Sequence, residues 1–351
     1  MNDNGPRQPA APGSHARDGV LSKPGADSLG TPEAVIPKVM SAVAYNRYGG
    51  PEVLDPVMAP TPRARAAQVL VRVHAASVNP IDYRIRQGEL RWVLPGGFPR
   101  IPGFDIAGEV VVPSADNPFA SGDRVFACLD SKYGGGYAEY AACSAACVAK
   151  IPDHLSYEQA AAIPLAASTA LQSLRDHGAI RAGDRVLIIG ASGGVGGFAV
   201  QIAKSFGAHV TALASGEHEA FVRSLGADTF IDRLKDDFTQ ASQRWDLIFD
   251  AAGKSNYFAA REVLASGGHY VSTEPSLWGG VISVASTLLS KRGRVMLVRS
   301  SGRDLESLAA LSASGHLRVD IQEVFPLDHA SAAHRKLEQG TGHGKIVLSI
   351  G

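Results

Sequence analysis

Hydrophobic positions in the second half of the chain follow two alternating periods. Between about Pro164 and Arg299, short apolar runs rich in β-branched residues are separated by segments whose apolar residues recur with helical spacing. Runs that are apolar on both faces are typical of buried parallel strands. The alternation therefore predicts an α/β fold with a doubly wound parallel sheet. The predicted strands are Arg185–Ile189, His209–Ala214, Thr229–Ile231, Asp246–Phe249, Gly268–Ser272 and Val295–Val298.

Between Met40 and about Pro152 the pattern is different, with short runs separated by glycine and proline. In Gln68–Ala75 apolar residues fall on alternate positions, which is the spacing of a strand with one buried face. These runs predict a β domain. Further strands are predicted at Ile106–Val112, Arg124–Cys128 and Tyr137–Ala142, with a helix over Leu305–Ser314 and a last strand over Lys345–Ile350 that returns to this domain.

One strand of the second half leads into a glycine turn. The run ending at Ile189 stops at Gly190, and the chain passes through Gly193, Gly194 and Gly196 before helical periodicity begins. Glycines let a backbone approach a pyrophosphate, and the helix N-terminus offers free N–H groups and a positive dipole. A strand before the motif and a helix after it are the context that a dinucleotide site requires. We predict an NAD(P) site here; the alternative is a strand-to-helix turn without a ligand.

The next strand indicates which nicotinamide cofactor is used. NAD-specific sites usually place Asp or Glu at its end, whereas this strand ends at Ser215. A 2′-phosphate would meet no carboxylate there and could accept a hydrogen bond from Ser215. His218 and Arg233 are the cations expected to reach it, although Glu217 counts against this assignment. The pattern favours NADPH over NADH.

The composition excludes some classes of partner. The 351 residues include 34 Lys and Arg and 34 Asp and Glu, so the formal net charge is zero. This balance gives no electrostatic basis for binding nucleic acid or an anionic membrane. Three cysteines with no disulfide or zinc-ribbon spacing indicate a reducing compartment. We therefore expect a cytoplasmic protein that acts on a small molecule.

The first 39 residues differ from the rest of the chain. They are rich in Pro, Gly, Ala, Ser and Asn and contain almost no large apolar residues, which predicts a disordered N-terminal tail. They lack the apolar segment of a secretory signal, and their acidic residues argue against a transit peptide. We expect the fold to begin at Met40.

Several short motifs occur in a fixed order along the chain. They are Ser77–Tyr83, Pro102–Val110, Gly122–Val125, Gly136–Glu139, Ser168–Ala170, Gly190–Gly196, Leu225–Asp228, Phe249–Gly253 and Gly344–Val347. In this order and spacing the chain resembles the medium-chain dehydrogenase/reductase superfamily, in its zinc-free quinone oxidoreductase (zeta-crystallin-like) branch. The resemblance implies a GroES-like catalytic domain over residues 40–163, a Rossmann NADP-binding domain over 164–299, and a return to the catalytic domain over 300–351.

The resemblance also bears on the chemistry. The zinc-dependent branch has Cys and His where this chain has Asn79-Pro80 and Phe104-Asp105, and these residues do not supply tetrahedral zinc ligation. The implied reaction is hydride transfer from NADPH to a quinone or an α,β-unsaturated carbonyl without zinc. Negative charge then develops on an oxygen, where a hydrogen-bond donor can replace a metal.

Four residues near the start of the catalytic domain are candidates for this chemistry. The resemblance places Asn79 toward the nicotinamide and substrate, although an Asn before Pro also caps turns. Asp82 is a candidate for a proton relay or for local pairing with Arg84 or a backbone N–H. Tyr83 could donate a proton or simply pack. Arg84 stands where many quinone reductases have Tyr, and it could stabilise an enolate oxygen or be solvated.

The cofactor contacts implied by the resemblance lie along both predicted domains. They are Asn79, Thr169, Gly190, Ser192, Gly193, Gly194, Val195, Ser215, His218, Arg233, Ala251, Ala252, Gly253 and Lys345. His218 and Arg233 stand where the family commonly has Lys and Tyr, which weakens the preference for NADPH. The aromatic residues Tyr133, Tyr137 and Trp278 could line the acceptor pocket, although ordinary packing is favoured for each.

Two other functions remain open from the sequence. An enoyl-thioester reductase would need a basic surface at the cleft, and no concentrated Lys/Arg run supplies one. A non-catalytic NADPH-binding sensor or structural protein is the second alternative, since fold does not fix function. We also expect a homodimer, because the predicted strand Val295–Val298 would leave an apolar edge on the parallel sheet.

Overall fold

The computed structural model describes residues 1, 36–114, 118–274, 283, 285–286, 289–340 and 342–351. The predicted disordered tail lies outside the described residues except for Met1 and residues 36–39 at its end. The first strand already includes Val39, one residue before the predicted start of the fold. Trp278 also lies outside the described residues.

The strands within the described residues are β1 (Val39–Ala44), β2 (Asp55–Pro60), β3 (Gln68–Val78), β4 (Asp105–Val112), β5 (Arg124–Cys128), β6 (Tyr140–Ser144), β7 (Val148–Lys150), β8 (Arg185–Ile189), β9 (His209–Ala214), β10 (Thr229–Asp232), β11 (Trp245–Asp250), β12 (Leu264–Ser272), β13 (Arg292–Val295), β14 (Ile321–Pro326) and β15 (Lys345–Ser349). The helices are α1 (Pro80–Gln87), α2 (Tyr157–Ala161), α3 (Pro164–Gln172), α4 (Gly194–Ser205), α5 (Glu219–Ser224), α6 (Tyr257–Ala260), α7 (Gly302–Ala313) and α8 (Ala330–Gln339). A π-helical turn, Ser173–His177, continues α3.

The parallel sheet has six strands in the order β10-β9-β8-β11-β12-β13. Every neighbouring pair is parallel, which confirms the predicted doubly wound α/β fold. The chain moves outward in one direction from β8 and then in the other from β11, so a switch point lies between these two strands. Ligands of such sheets bind in the crevice at the carboxyl ends of the strands beside the switch point.

The second sheet contains β14-β15-β3-β4-β5-β7, and β6 also pairs with β3. Its last strand in the chain, β15, runs antiparallel to β3, with Ile346 opposite Val78. This pairing confirms that the C-terminal strand returns to the β domain. It also brings the residue before Ile346 close to the end of β3, where α1 begins.

Two strand predictions differ from the structure. The strand predicted at Val295–Val298 is β13 at Arg292–Val295, because the ladder with β12 starts at Arg292 opposite His269. Leu297 follows the strand and is 70% exposed. The strand predicted from Tyr137 begins instead at Tyr140, because residues 137 and 138 hydrogen-bond and bridge to β1. Local apolarity identified these segments, but pairing partners set their ends.

Candidate active site

The glycine turn after β8 has steric reasons for two of its glycines. Gly190 adopts a φ of +77°, and a Cβ there would lie 2.6 Å from the Cβ of Ala252. A Cβ on Gly196 would lie 2.1 Å from the carbonyl oxygen of Gly190. Gly193, which precedes α4, is different, because a Cβ there would meet only that same oxygen, at 3.4 Å. The turn is therefore closed on the protein side and open on the other.

The open side has the properties of an anion site. The first N–H groups of an α-helix have no acceptor within the helix, and the dipole is positive at this end. The first turn of α4 contains no acidic residue. The backbone from Gly193 into α4 therefore fits a pyrophosphate.

A cleft of about 1160 Å³ extends from this turn along the carboxyl ends of the strands. The predicted cofactor residues that line it are Gly190, Ser192, Gly193, Ser215, His218, Arg233 and Ala252. Gly340 and Gly342, just after α8, line its far side. The structure thus brings together residues that the sequence separates by more than a hundred positions.

At the end of β9, two hydrogen-bonded side chains line the cleft. The Nε of Arg233 donates to the Oγ of Ser215 at 2.9 Å. The nearby carboxylate of Asp232 accepts the backbone N–H groups of Gly216 and Leu234, both at 3.1 Å, and these bonds lower its pKa. The carboxylate beside the strand end is therefore engaged by the backbone, while a cation lines the cleft.

Other cations near this end are paired elsewhere. Lys204 donates to Asp228 at 2.8 Å, and Arg223 donates to Glu219 at 2.8 Å. Lys204 and Arg223 do not line the cleft. His218 lies 3.7 Å from the carboxylate of Glu217 and lines the cleft with it.

Asn79 lies in the β domain at the junction of β3 and α1. It is the N-cap of α1, and Pro80 occupies the first helical position. Asp82 accepts the backbone N–H of Asn79 at 2.8 Å, an arrangement that fixes the first turn of α1. The structure thus shows Asp82 paired with a backbone N–H, whereas Asn79 occupies the cap position without a side-chain capping bond.

The side chain of Asn79 is fully engaged within the protein. Its Nδ2 donates to Asp105 at 2.8 Å and to Ser77 at 3.3 Å. Its Oδ1 accepts from the Nζ of Lys345 at 2.5 Å. The residue is 1% exposed. Its amide therefore acts as a bridge between buried polar groups and has no spare donor.

Lys345 connects Asn79 to the glycine turn. A Cβ on Gly194 would lie 2.8 Å from the Cδ of Lys345, so the absence of a side chain at Gly194 leaves room for the lysine stem. The ammonium group reaches Asn79 and also donates to the carbonyl oxygen of Val78 at 3.4 Å. The predicted cofactor residue Lys345 is therefore a link between the two sheets at the candidate site.

Two buried carboxyl groups share this region. Burial raises the pKa of Asp82 to about 7 and also raises the pKa of Asp105. Asp105 accepts from Ser77 at 2.7 Å and from the backbone N–H of Leu165 at 2.8 Å. Burial lowers the pKa of Lys345, and the two carboxyl groups oppose that change. The cluster is an ionisable network in a dry environment.

Arg84 and Tyr83 follow on α1. Arg84 makes a two-bond contact with Glu274, at 2.8 and 3.1 Å, and donates from Nε to Glu89 at 2.7 Å. Its guanidinium is therefore occupied by two carboxylates. Tyr83 is half-buried, which raises the pKa of its hydroxyl, and this hydroxyl makes no hydrogen bond to any described residue. Among the four predicted catalytic residues, only Tyr83 keeps an uncommitted polar group within the described part of the chain.

The remaining predicted residues take different places. Thr169 is buried on α3, and residues 251–253 follow β11. Asp250 holds that segment by accepting the N–H groups of Ala252 and Ser255 at 3.2 and 2.7 Å. Tyr133 donates its hydroxyl to the carbonyl of Pro95.

Tyr137 is completely buried and bonded to Asp82 and His334. Of the two roles considered for it, ordinary packing and lining the acceptor pocket, the structure shows packing.

Sequence reasoning missed the acidic partners of the site: Asp105, Asp250 and Glu274. The available signal for Asp105 and Asp250 is a carboxylate at the terminus of a strand whose adjoining residues are apolar. Such a residue must find donors when the strand is buried. Nothing local distinguishes Glu274 from an ordinary surface residue.

The described residues contain no group of three or more His, Cys, Asp or Glu side chains that could hold a metal ion. Within the same residues, no helix has both the length and the apolarity needed to cross a bilayer.

Two family models match parts of the chain. Residues 65–153 match the Alcohol dehydrogenase GroES-like domain, and residues 225–348 match Zinc-binding dehydrogenase. The chloroplast envelope quinone oxidoreductase homolog of Arabidopsis thaliana is 34% identical over 89% of this chain and 98% of its own length. The chloroplastic NADPH-dependent alkenal/one oxidoreductase of the same plant is 35% identical over 91% of this chain and 81% of its own.

A solved structure extends the similarity to three dimensions. The quinone oxidoreductase from Coxiella burnetii matches with a TM-score of 0.83 and 34% identity, over 90% of this chain and 100% of that chain. Because the match covers nine-tenths of this chain, it confirms the predicted fold class.

The expectation of a cytoplasmic location is corrected by these relatives. Both plant proteins carry names that assign them to chloroplasts, and further relatives are named as mitochondrial. A balanced charge and buried thiols are compatible with several compartments, and therefore did not support a choice among them.

Proposed function

The chain belongs to the medium-chain dehydrogenase/reductase superfamily, in its quinone oxidoreductase branch, and we propose that it reduces a quinone or an α,β-unsaturated carbonyl with NADPH and without zinc. It is an oxidoreductase with a nicotinamide cofactor. The observation that carries the proposal is the link through Lys345, which joins a pyrophosphate-type turn to a buried polar network beside an uncommitted tyrosine.

The chain supplies a binding frame for the cofactor. The backbone at Gly193 and the N-terminus of α4 would hold the pyrophosphate, and the backbone near Ala252 would approach a ribose. When bound, the dihydronicotinamide supplies a hydride. The dry surroundings of Asn79 and Lys345 keep the polar groups of this region rigid, which is how a site avoids reorganisation during reaction.

Tyr83 is the residue that we propose as donor to the acceptor oxygen. Reduction of a conjugated carbonyl places negative charge on oxygen, and a hydroxyl that is not otherwise bonded can donate there. Its raised pKa keeps it protonated at neutral pH. Asn79, Asp82 and Arg84 act by holding the turn and helix that carry it.

The preference for NADPH is supported by the end of β9. Ser215 is a neutral donor where NAD-specific sites have an acid, and Arg233 is fixed beside it. We expect Arg233→Ala to raise the KM for NADPH about tenfold or more and to leave that for NADH nearly unchanged, since a charged hydrogen bond contributes roughly 1.5–3 kcal/mol. Arg223→Ala is the matched control, because its guanidinium is paired with Glu219 away from the cleft. Equal losses with both cofactors would contradict the assignment.

The absence of zinc from the reaction is supported by the donor chemistry. The side-chain oxygen atoms of Asn79 and Asp105 accept hydrogen bonds from Lys345, Ser77 and a backbone N–H. Phe104 and Pro80 offer no ligand atoms. Activity that survives dialysis against a chelator is the expected result, and restoration by added zinc alone would overturn this part.

The function is tested by anaerobic oxidation of NADPH and NADH with one quinone and one simple enone. Turnover that falls at least about tenfold in Tyr83→Phe supports both the reaction and the donor. Turnover of a crotonyl thioester but not of free enones would favour an enoyl-thioester reductase. Saturable NADPH binding with no oxidation of any acceptor would favour a sensor.

We also propose a homodimer that pairs through the β13 edge of the parallel sheet. Within the described residues β13 ends that sheet, and Leu297 is exposed beside it. The outward N–H groups of Gly293 and Val295 already donate to the hydroxyls of Ser286 and Ser283, both at 2.9 Å. The exposed apolar Leu297 beside the strand is therefore the feature that favours association with a second copy. Light scattering at micromolar concentration should give about twice the mass of 36.7 kDa, and a monomeric mass would refute the proposal.

A further inference from the structure

A buried chain of hydrogen bonds runs behind Asp82, on the side away from Asn79. Its members are Arg86, His334 and Tyr137, and each is completely buried. Arg86 lies 3.2 Å from the Nδ1 of His334, and the Nε2 of that ring lies 3.1 Å from the Tyr137 hydroxyl. The hydroxyl lies 3.4 Å from the Oδ2 of Asp82. No part of the proposed reaction uses these groups directly.

The donor chemistry of arginine fixes which group donates and which accepts in each of these hydrogen bonds. A guanidinium can only donate, so the Nδ1 of His334 must accept. The neutral ring then carries its proton on Nε2 and donates to the oxygen of Tyr137. The Tyr137 hydroxyl is left to donate to Asp82. Burial, with the charge of Arg86, lowers the pKa of His334 to about 3 and so keeps the ring neutral.

Every contact that reaches Asp82 is then a donor. The backbone N–H groups of Asn79 and Gly103 donate to it at 2.8 and 3.2 Å, and Tyr137 is the third. Three donors favour the ionised carboxylate against the cost of burial. The ring of Tyr137 also packs directly on Gly103, where an added Cβ would lie only 2.3 Å from its Cδ1.

At its other end, the series of hydrogen bonds connects Arg86 to α8. Glu338 accepts from Arg86 at 2.5 Å, and α8 leads directly into the residues that line the cofactor cleft. The network therefore joins the helix before the cleft to the carboxylate that caps α1.

We propose that His334 is a positioning residue, which orients Tyr137 toward Asp82 and thereby holds Asn79 in contact with Lys345. The proposal rests on the proposed function for its effect on turnover. Without the histidine, Asp82 loses a fixed donor, and the turn that carries Asn79 is no longer held in one arrangement.

Two variants test the role by kinetics. His334→Phe keeps a ring of similar size but no polar atom, and Tyr137→Phe keeps the packing against Gly103. In both we expect kcat to fall about fivefold to tenfold, as for the loss of one hydrogen bond, with a change of less than about twofold in the KM for NADPH. His334→Gln can accept from Arg86 and donate to Tyr137, so it should recover most of kcat.

Tyr257→Phe is the matched control. Tyr257 is buried and donates at 2.7 Å to the carbonyl of Lys291, the residue before β13, so its loss removes one comparable bond. Wild-type kcat in folded His334→Phe and Tyr137→Phe would overturn the proposal. An equal fall of kcat in Tyr257→Phe, with no recovery in His334→Gln, would mean that the effect reflects general stability. That outcome would also overturn the proposal.

A readout without turnover separates this proposal from the proposed function. NMR of protein labelled at aspartate can follow the Asp82 carboxyl carbon against pH, and Asp82→Asn assigns its signal. We expect this carboxyl group to titrate at higher pH in His334→Phe than in the wild type. The titratable groups that face Asp82 are Asp105, Lys345, Tyr137, Tyr45 and Cys128. His334→Phe leaves all of them in place, so an unchanged midpoint would refute the positioning role even if no acceptor were reduced.

Discussion

The two halves of the candidate site are built in different ways. On the parallel-sheet side, the glycine turn offers backbone groups, and its requirements are steric. On the β-domain side, Asn79 and its partners are side chains buried in a network of hydrogen bonds. Backbone sites tolerate changes that leave the chain path intact, whereas a buried network loses function when one member is removed. The glycine turn therefore depends on backbone shape, whereas the proposed reaction region depends on hydrogen bonds between particular side chains.

The largest expected effect is at the glycine turn. Gly196→Ala would place a Cβ 2.1 Å from a backbone oxygen, so the turn must shift. We expect a loss of about 1–3 kcal/mol in the free energy of unfolding and loss of NADPH binding. Thermal unfolding and fluorescence titration measure both.

Gly193→Ala is the control for that experiment, because its Cβ would have 3.4 Å of room. Its stability should stay within about 0.5 kcal/mol of wild type. Equal destabilisation by the two substitutions would remove the distinction between the closed and open sides of the turn.

Removing the ammonium of Lys345 tests the network side. Lys345→Met keeps a stem of similar length near Gly194 but leaves the Oδ1 of Asn79 without its donor. A buried unpaired polar group costs about 1–3 kcal/mol, so kcat/KM should fall roughly tenfold to a hundredfold in the steady-state assay. Lys204→Met removes a lysine paired with Asp228 outside the site and should be nearly neutral. Similar losses in both variants would argue against a specific role for Lys345.

The pH dependence of stability should show opposite slopes from two members of the network. The folded-state pKa of His334 is lowered from 6.5 to about 3. The unfolded chain therefore binds the additional proton between these values, and stability is lost as the pH falls from 6.5 toward 3. The folded-state pKa of Asp82 is raised from 3.8 to about 7. Here the folded chain binds the proton, and stability is lost as the pH rises through that range. Each slope approaches about 1.4 kcal/mol per pH unit at most.

Urea unfolding at a series of pH values separates the two slopes. Asp82→Asn should leave the histidine slope, so that stability increases with pH, and His334→Gln should leave the opposite slope. Parallel curves for the two variants would show that neither group titrates as the structure indicates.

The smallest expected effect lies at the ion pair between the two halves. Arg84 and Glu274 are both partly exposed, and such pairs contribute at most about 1 kcal/mol. Glu274→Gln should therefore lower stability by less than about 1 kcal/mol, and less still at high salt. Glu89→Gln removes the other carboxylate on Arg84 and is the matched variant. A loss above about 2 kcal/mol for Glu274→Gln alone would mean that this contact holds the two halves together.

Sequence patterns predicted strands correctly where the residues adjacent along the chain set the ends of the strand. The strands Arg185–Ile189 and His209–Ala214 were predicted with their observed ends, because apolar runs with turns on both sides leave little choice of boundary. The end of β13 was misplaced, since hydrogen bonding to β12 and not apolarity sets it. For Tyr137 the sequence favoured packing over a pocket role but could not name its neighbour, because the ring packs against Gly103 from another segment.

The sequence by itself determined the two sheets, the glycine turn and the absence of an acid at the end of β9. These features depend on residues close together along the chain, which constrain backbone conformation directly. Only the tertiary structure decided that Lys345 bonds to Asn79, 266 positions away, and that Gly194 leaves room for the lysine. The register of β15 on β3 sets that contact, and the periodicity of either strand alone does not encode its partner.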